Sequence, residues 1–311
     1  MSDSPKSDVL LRCGVVGAGV FGGYHAQQYA KLPGARLAAV FDVHLDRAQA
    51  LAGPLGGEAF DDLGRFLEAV DAVSVTSPAT THAEVAMAAL KAGKATYVEK
   101  PLATDLEHAE ALVARARQAQ LPLAVGHQER MVFKAMGLFD VPEKPLRLEA
   151  IRRGTHSPRN LDVSCVLDLM IHDIDLALAL SGSEPANVEA RAQVLHGPFA
   201  DQVEAEAMFD DGLVARFEAS RIAEARERRM WIAFPSGEVE IDFLARTFRN
   251  TTRFPLNPDF ADTAIGRDPL GAALGAFIAA ARGETDHLPA EAEEGARALD
   301  LALAVEQAAL E

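Results

Sequence analysis

Cysteine is scarce in this sequence of 311 residues. The only two cysteines, Cys13 and Cys165, lie in apolar runs, which predicts two buried thiols and argues against a disulfide framework. The sequence has no Cys/His spacing that is typical of a zinc site, so we predict no metal.

Basic residues are also few relative to acidic ones. The 30 Lys and Arg residues stand against 46 Asp and Glu residues, which gives a net charge of -16. This balance argues against nucleic acid or an anionic membrane surface as a partner. A small anionic ligand remains compatible, because a few arginines can form a locally positive pocket.

Long apolar runs are missing as well. No segment is long enough to span a bilayer, and residues 1–8 are polar and lack the apolar core of a signal peptide. We therefore predict a cytoplasmic protein without membrane contact.

Residues 1–125 alternate short apolar runs with helix-like stretches. This alternation predicts a doubly wound parallel sheet with helices on both faces. The predicted strands cover residues 10–16, 36–41, 72–76, 95–99 and 123–125, and the predicted helices cover residues 20–31, 45–52, 81–92 and 105–119.

Residues 126–311 have a different pattern. Strand-like runs separated by tight-turn sequences at residues 210–212 and 235–237 indicate a large, mostly antiparallel sheet. The predicted strands cover residues 146–153, 188–195, 203–209, 213–220, 229–234 and 238–243, with helices over 165–180, 270–282 and 290–310 and a long loop over 250–267.

Together these patterns predict an α/β protein of two domains. A Rossmann domain over residues 1–125 would bind a dinucleotide. An α+β domain over residues 126–311 would bind substrate and form an oligomer, and its C-terminal helix could pack back on the first domain.

Gly17, Gly19 and Gly22 form a G-x-G-x-x-G motif between a predicted strand and a predicted helix. The first glycine permits the tight turn, the second lets a pyrophosphate approach the backbone, and the third lets the helix pack close to the strand. The pyrophosphate would meet the helix N-terminus at Val20 and Phe21, where free N–H groups favour an anion. The alternative is a glycine-rich turn of an unrelated α/β protein.

Asp42 ends the second predicted strand, 20 positions beyond Gly22. A carboxylate at this spacing accepts both hydroxyls of an adenosine ribose and repels the additional phosphate of NADP. No arginine follows directly. The sequence therefore predicts NAD as the cofactor.

Two further segments follow strands of the same predicted sheet, where loops line the ligand crevice. One contains Thr76, Pro78 and His82, and the other is Glu99-Lys100-Pro101. We predict Thr76, Pro78, His82 and Glu99 as additional cofactor contacts. Lys100 could hydrogen-bond a reacting oxygen and stabilise a developing alkoxide, although a lone lysine is most often a surface residue.

Asp168 and His172 are four positions apart in a predicted helix. This spacing places them on one helix face, where the carboxylate would orient the imidazole and stabilise its charged form. Histidine suits proton transfer near neutral pH. The alternative for His172 is a core histidine bonded to Asp173 or Asp175.

The glycine motif, Glu-Lys-Pro at residues 99–101 and Asp-x-x-x-His at residues 168–172 together resemble the Gfo/Idh/MocA family of sugar and polyol dehydrogenases. The resemblance covers residues 11–180 by motif and the remainder by layout. It implies a Rossmann domain joined to a large mixed sheet, with the active site between them at the nicotinamide. It also implies a catalytic trio of Lys100, Asp168 and His172. Which of Lys100 and His172 is the primary base stays open.

Arginines lie close in sequence to this predicted site, at positions 130, 152, 153 and 159. Arginine matches phosphate oxygens bidentately, so we predict Arg130, Arg153 and Arg159, together with Lys100 and His172, as substrate contacts. The alternative is that these arginines solvate a strand edge and a loop.

Within the family, residues 126–130 and 166–173 are most similar to bacterial members that oxidise the C3 hydroxyl of UDP-N-acetylglucosamine with NAD. Their 3-keto product passes to an aminotransferase, on the route to a 2,3-diamino sugar of lipid A. The chain departs from related members at residues 131–133, Met-Val-Phe, where they often continue Phe-Asn-Pro.

The expected function is therefore oxidation of a UDP-linked N-acetylhexosamine. The alternatives are oxidation of a free sugar or inositol, and a non-catalytic NAD-binding regulator. A homodimer or homotetramer is expected, since family members commonly assemble so and an exposed apolar sheet face usually finds a partner.

Overall fold

The computed structural model describes residues 9–156 and 161–310. Its first sheet is parallel throughout and has the strand order β3-β2-β1-β4-β5-β6, which is the doubly wound order. The strands are β1 (Leu11–Val16), β2 (Ala35–Phe41), β3 (Glu58–Phe60), β4 (Ala72–Val75), β5 (Ala95–Val98) and β6 (Leu123–Val125). The order reverses between β1 and β4, and this opens a crevice at their carboxyl ends.

Helices connect these strands: α1 (Val20–Tyr29), α2 (Leu45–Ala52), α3 (Leu63–Ala69), α4 (His82–Lys91) and α5 (Leu106–Ala119). Each element predicted in this part of the chain is present, with bounds within two residues of the prediction. The sequence did not predict β3 and α3, because a three-residue edge strand leaves almost no periodic signal.

The second sheet has the order β13-β12-β11-β7-β10-β9-β8. Its strands are β7 (Arg147–Arg153), β8 (Pro185–Gln193), β9 (Gln202–Phe209), β10 (Val214–Ser220), β11 (Glu227–Phe234), β12 (Gly237–Asp242) and β13 (Thr247–Asn250). Neighbours are antiparallel except β7 and β10, which run parallel, so the mostly antiparallel sheet is confirmed. The sequence missed β13.

The remaining helices are α6 (Glu129–Met136), α7 (Ile171–Ser181), α8 (Ala264–Arg267), α9 (Pro269–Ala281) and α10 (Ala292–Ala308). The sequence predicted neither α6 nor α8. The single helix predicted over residues 165–180 is instead a π-helical turn, Val166–Met170, followed by α7. No helix of the described segments is long and apolar enough to cross a membrane.

The C-terminal helices return to the first sheet. In α9, Phe277 packs edge-on against Tyr97 of β5, with ring centroids 5.7 Å apart, inside a buried cluster that also contains Cys13 and Tyr29. Helix α10 contacts α5 and β6 as well as α7 and β8. These helices therefore tie the two sheets together.

Helices α7 and α10 cover one face of the second sheet. The opposite face is largely polar: Arg191 pairs with Glu204, and Arg216 pairs with Glu206. Ile151, Met208 and Trp231 lie among these charges, partly or well exposed. The uncovered face is therefore of mixed character, because charged residues alternate with the buried ones along the strands, and the expected assembly stays a prediction.

Candidate active site

The glycine motif closes a tight turn between β1 and α1. Gly17 has φ +98°, and a Cβ there would lie 2.8 Å from the backbone nitrogen of Ser77. A Cβ on Gly22 would lie 1.8 Å from the carbonyl oxygen of Gly17. A Cβ on Gly19, by contrast, would meet nothing within 4 Å. Packing fixes the first and third glycines, and the second faces open space.

This open space lies at the N-terminus of α1. Gly19 is the N-cap, no side chain caps it, and the first turn has no acidic residue. Val20 and Phe21 in that turn are about half exposed. The free amides and the bare glycine fit the pyrophosphate of a dinucleotide, which the helix N-terminus would attract.

Asp42 ties this loop to the end of β2. Its Oδ2 accepts a hydrogen bond from the Ala18 amide at 2.8 Å, and its Oδ1 accepts one from the His44 amide at 2.9 Å. Each oxygen keeps a second lone pair, so the predicted contact with ribose hydroxyls remains compatible. The Thr76 hydroxyl donates to the carbonyls of Val16 and Gly17, which fixes the facing loop.

His82 holds the loops after β4 and β5 together. Its ring nitrogens lie 2.7 Å from the carbonyl oxygen of Pro101 and 2.9 Å from that of Ser77. Burial lowers the pKa of His82 and outweighs the two carbonyls, which act in the opposite direction. Pro78 precedes the short helical turn that leads into α4. His82 thus contacts protein groups, and its predicted contact with the cofactor stays a prediction.

Glu99 is buried beside Lys100. Its carboxylate lies 2.9 Å from Nε2 of His25 and accepts a hydrogen bond from Gln128 at 3.3 Å. Burial alone would raise the pKa of Glu99, but His25 and Lys100 lower it further than burial raises it. A Cβ on Gly126 would come within 2.8 Å of this carboxylate, which explains the glycine directly after β6.

Lys100 bridges the two parts of the fold. Its Nζ donates to the backbone carbonyl of Asp168 at 2.7 Å and to Oδ1 of Asp168 at 3.2 Å. Both side chains are less than a fifth exposed. An ammonium group has three donors, so one N–H is left to meet an oxygen of a bound molecule.

His172 lies in the first turn of α7, and Nδ1 of its ring is 2.8 Å from Oε2 of Glu129. The sequence predicted that Asp168 would orient this ring. The side chain of Asp168 contacts Lys100 instead, and the ring of His172 meets Glu129. The physical reason is the π-helical turn at Val166–Met170, which breaks the four-residue helical spacing.

Carboxylates of the protein hold two of the predicted arginines, Arg130 and Arg153, and also the neighbouring Arg152. Arg130 binds Asp175 through Nε at 2.8 Å and Nη2 at 2.7 Å, and its Nη1 lies 2.6 Å from Glu294. Arg152 binds Asp173 through two nitrogens and Glu129 through the third.

Arg153 binds Glu218 and Glu227 on the sheet face opposite to Arg152. The structure thus does not bring Arg153 to the cluster around His172. Arg159 lies outside the described residues.

Comparison with known proteins decides the family. Residues 11–127 match the model of an oxidoreductase family with an NAD-binding Rossmann fold, and residues 144–240 match a Gfo/Idh/MocA C-terminal domain. The chain belongs to the Gfo/Idh/MocA family. This membership confirms the predicted family and the NAD-dependent oxidoreductase class.

Relatives of two kinds resemble this Gfo/Idh/MocA protein. It is 37% identical to a UDP-N-acetylglucosamine 3-dehydrogenase of Acidithiobacillus ferrooxidans over 87% of this chain and 88% of the relative. It is 32% identical to the scyllo-inositol 2-dehydrogenase (NAD(+)) of Bacillus subtilis over 68% of this chain and 67% of the relative.

A solved structure of the Acidithiobacillus ferrooxidans UDP-N-acetylglucosamine 3-dehydrogenase superposes with a TM-score of 0.89 at 35% identity. The match covers 96% of this chain and 98% of that chain. The likeness therefore extends over both sheets of this family member.

Sequence reasoning missed two residues of this family member's site. Glu129, the partner of His172, stands just before Arg130, in the run of residues 126–130 that carries part of the family resemblance and follows the carboxyl end of β6. His127 is the other: it is 3% exposed, and neither of its ring nitrogens has a hydrogen-bond partner among the described residues. Burial lowers the pKa of His127 to about 4, because it favours the neutral ring.

Proposed function

We propose that this protein oxidises the C3 hydroxyl of a UDP-linked N-acetylhexosamine, UDP-N-acetylglucosamine, to the 3-keto sugar with NAD as hydride acceptor. The observation that carries the chemistry is the position of Lys100, held on Asp168 in the same crevice as the glycine loop. Support for the substrate comes from the 37% identity to a UDP-N-acetylglucosamine 3-dehydrogenase.

Oxidation of a secondary alcohol removes a proton from oxygen and a hydride from carbon. Bound NAD supplies the hydride acceptor. In our proposal, Gly17, Gly19 and Gly22 cradle the pyrophosphate and Asp42 takes the ribose hydroxyls, which favours NAD over NADP.

Lys100 and His172 act on the C3 hydroxyl group and on the proton that leaves its oxygen. The remaining N–H of Lys100 donates to the C3 oxygen and stabilises its developing negative charge. His172, oriented by Glu129 through Nδ1, presents Nε2 to take up or return the proton. Asp168 fixes the position of the ammonium group. The primary base is one of Lys100 and His172.

A cyclic polyol is the second candidate substrate, because the scyllo-inositol 2-dehydrogenase of Bacillus subtilis is 32% identical over 68% of this chain. The hydride chemistry would be the same. Only the group attached to the ring would differ, and an inositol carries no diphosphate.

Purified protein is incubated with NAD and either UDP-N-acetylglucosamine, N-acetylglucosamine, myo-inositol or scyllo-inositol, and NADH is followed at 340 nm. Glutamate and a sugar aminotransferase are added to remove the 3-keto product. We expect NADH only with the UDP-sugar. NADH from an inositol alone would favour the second candidate, and no NADH with the UDP-sugar would refute the first.

The matched variant is Lys100→Met, which keeps an unbranched, flexible side chain of nearly the same length and removes the ammonium group. We expect kcat to fall by about 10²- to 10³-fold, because one preorganised donor to a developing oxyanion is lost. Binding of NAD, measured by fluorescence titration, stays unchanged. Full turnover in this variant would refute the role of Lys100.

We further propose that the 3-keto product is consumed by an aminotransferase, as in formation of a 2,3-diamino sugar of lipid A, and that the protein forms a homodimer or homotetramer. The uncovered face of the second sheet, with Trp231 among paired charges, is the candidate interface. Analytical ultracentrifugation tests the assembly, and a monomer at micromolar concentration would refute it.

A further inference from the structure

A diphosphate-bearing substrate needs cations that are not already paired. Arg130, Arg152 and Arg153 each bind two carboxylates of the protein itself. Moving any of them to a phosphate would leave carboxylates uncompensated, two of which, on Asp173 and Asp175, are buried.

Arg228, in β11, is differently placed. It has no side-chain hydrogen bond and no ion pair within residues 9–156 and 161–310. It is partly buried, yet none of its nitrogens is among the buried polar atoms that lack a partner, so the guanidinium reaches solvent.

The register of the second sheet places Arg228 on the side of the site. In the antiparallel pair of β11 and β7, Arg228 stands directly opposite Arg152. Residues that face each other in such a pair point to the same side of the sheet. Arg152 reaches Glu129, which contacts His172, so Arg228 shares the sheet face that carries the His172 cluster.

The surroundings of Arg228 are short of negative charge for a partly buried cation. Burial lowers the pKa of Arg228, and the positive charge of Arg152 lowers it further, while Glu129 and Asp173 oppose this only in part. Arg226, two residues earlier, adds another positive charge and is exposed. An anion bound here would relieve the repulsion between these cations.

There is also room for a ligand. Arg226 and Arg228 line a surface cavity of about 360 Å³, within the size range of small-molecule sites, at the end of the β7–β11 pair. Residues of the opposite sheet face line the cavity as well, namely Arg153, Glu227, Arg229 and Asp242. Guanidinium groups match phosphate oxygens in a bidentate manner.

We propose that Arg228, assisted by Arg226, binds the diphosphate of the nucleotide-sugar substrate. This assignment rests on the proposed function and extends it to the residue that distinguishes a nucleotide sugar from a free sugar or polyol.

The test compares Arg228→Ala with Arg216→Ala. Arg216 lies in β10 on the opposite sheet face, pairs with Glu206 and is not among the residues that line this cavity. Initial rates give kcat and KM for UDP-N-acetylglucosamine, and calorimetry gives the binding of UDP, uridine and inorganic pyrophosphate in the presence of NAD.

In Arg228→Ala we expect KM for the UDP-sugar and Kd for UDP to rise by about 10- to 100-fold, since a charged hydrogen-bond donor to phosphate is removed. Uridine binding and NAD binding stay at the wild-type level, and so do all values in Arg216→Ala. Removing Arg228 breaks no ion pair of the described residues, so its thermal unfolding temperature should not fall.

Three outcomes distinguish a wrong assignment of Arg228 from a wrong proposed function. If the wild type oxidises the UDP-sugar and Arg228→Ala has the wild-type KM, the assignment of Arg228 is wrong and the proposed function holds. If pyrophosphate binds to the wild type as tightly as UDP and uridine does not bind, Arg228 takes free phosphates and the nucleotide-sugar assignment is wrong. If the wild type neither oxidises the UDP-sugar nor binds UDP, both are wrong.

Discussion

Oε2 of Glu129 lies 2.8 Å from Nδ1 of His172, and Oε1 of the same carboxylate accepts a hydrogen bond from Arg152 at 3.0 Å. Burial alone would raise the pKa of Glu129, but His172 and Arg152 hold it well below its usual range. Glu129 is therefore ionised at neutral pH. Nδ1 of the ring thus faces the protein, and in our proposal Nε2 meets the substrate.

Replacing Glu129 by Gln should alter the pH dependence of turnover. The amide removes a negative charge 2.8 Å from Nδ1 of His172, so the pH profile of kcat/KM should differ from that of the wild type. We expect kcat to fall by about 10- to 100-fold, part of the contribution of a positioned acid–base group. Initial rates between pH 5 and pH 9 measure both effects.

The matched control is Glu218→Gln, which removes a carboxylate from Arg153 on the opposite sheet face. Its pH profile should match that of the wild type. If Glu129→Gln gives an unshifted profile, the carboxylate has a structural role only.

A substitution in the glycine loop should weaken cofactor binding without lowering the stability of the fold. A Cβ on Gly19 or on Gly23 would meet nothing within 4 Å of the protein. Gly19→Ala should therefore leave the unfolding temperature near that of the wild type while weakening NAD binding by about 10-fold or more, since the pyrophosphate needs that space. Fluorescence titration with NADH and thermal unfolding measure the two quantities.

Gly23→Ala is the control for that substitution. It adds the same methyl group inside α1, where alanine is the better helix former, and should bind NAD normally with equal or higher stability. Equal affinity in all three proteins would place the dinucleotide elsewhere.

The buried His127 should make the free energy of unfolding depend on pH. The unfolded chain protonates this histidine near pH 6.5, whereas the folded chain does so only near pH 4. The free energy of unfolding should therefore fall as the pH drops through this window, by about 3 kcal/mol from this group. His127→Gln should flatten this part of the curve, as measured by urea unfolding at several pH values.

His108 serves as the comparison, because its side chain is exposed at the start of α5. His108→Gln should retain the full decline with pH. Parallel curves for His127→Gln and the wild type would show that His127 is not buried in its neutral form.

Substitution of Arg130 distinguishes a structural ion pair with Asp175 from a contact with the substrate. Arg130→Met leaves the carboxylate of Asp175, which is 1% exposed, without its cation. This should lower the free energy of unfolding by about 3–5 kcal/mol. The double variant Arg130→Met/Asp175→Leu should recover much of that loss, because an apolar pair of similar size is often as stable. Urea midpoints measure the effect.

The KM for UDP-N-acetylglucosamine shows whether Arg130 also contacts the substrate. In our interpretation the double variant retains the KM of the wild type. A large increase in KM without loss of stability would instead restore Arg130 as a substrate contact.

Much of this protein could be predicted from sequence. The glycine motif, the position of Asp42 and the alternation of strands and helices are local patterns, because glycine conformation and hydrophobic periodicity act over a few residues. They determined the Rossmann sheet, the antiparallel sheet and the crevice in which Lys100 and His172 lie.

Only the tertiary structure decided which charged groups meet. Asp168 pairs with Lys100, 68 positions away, and His172 meets Glu129, because the π-helical turn changes the direction of the side chains before α7. Arg130 and Arg152 find buried carboxylates, and Arg228 finds none among the described residues. Ion pairs depend on distances across the whole fold, which local periodicity does not encode.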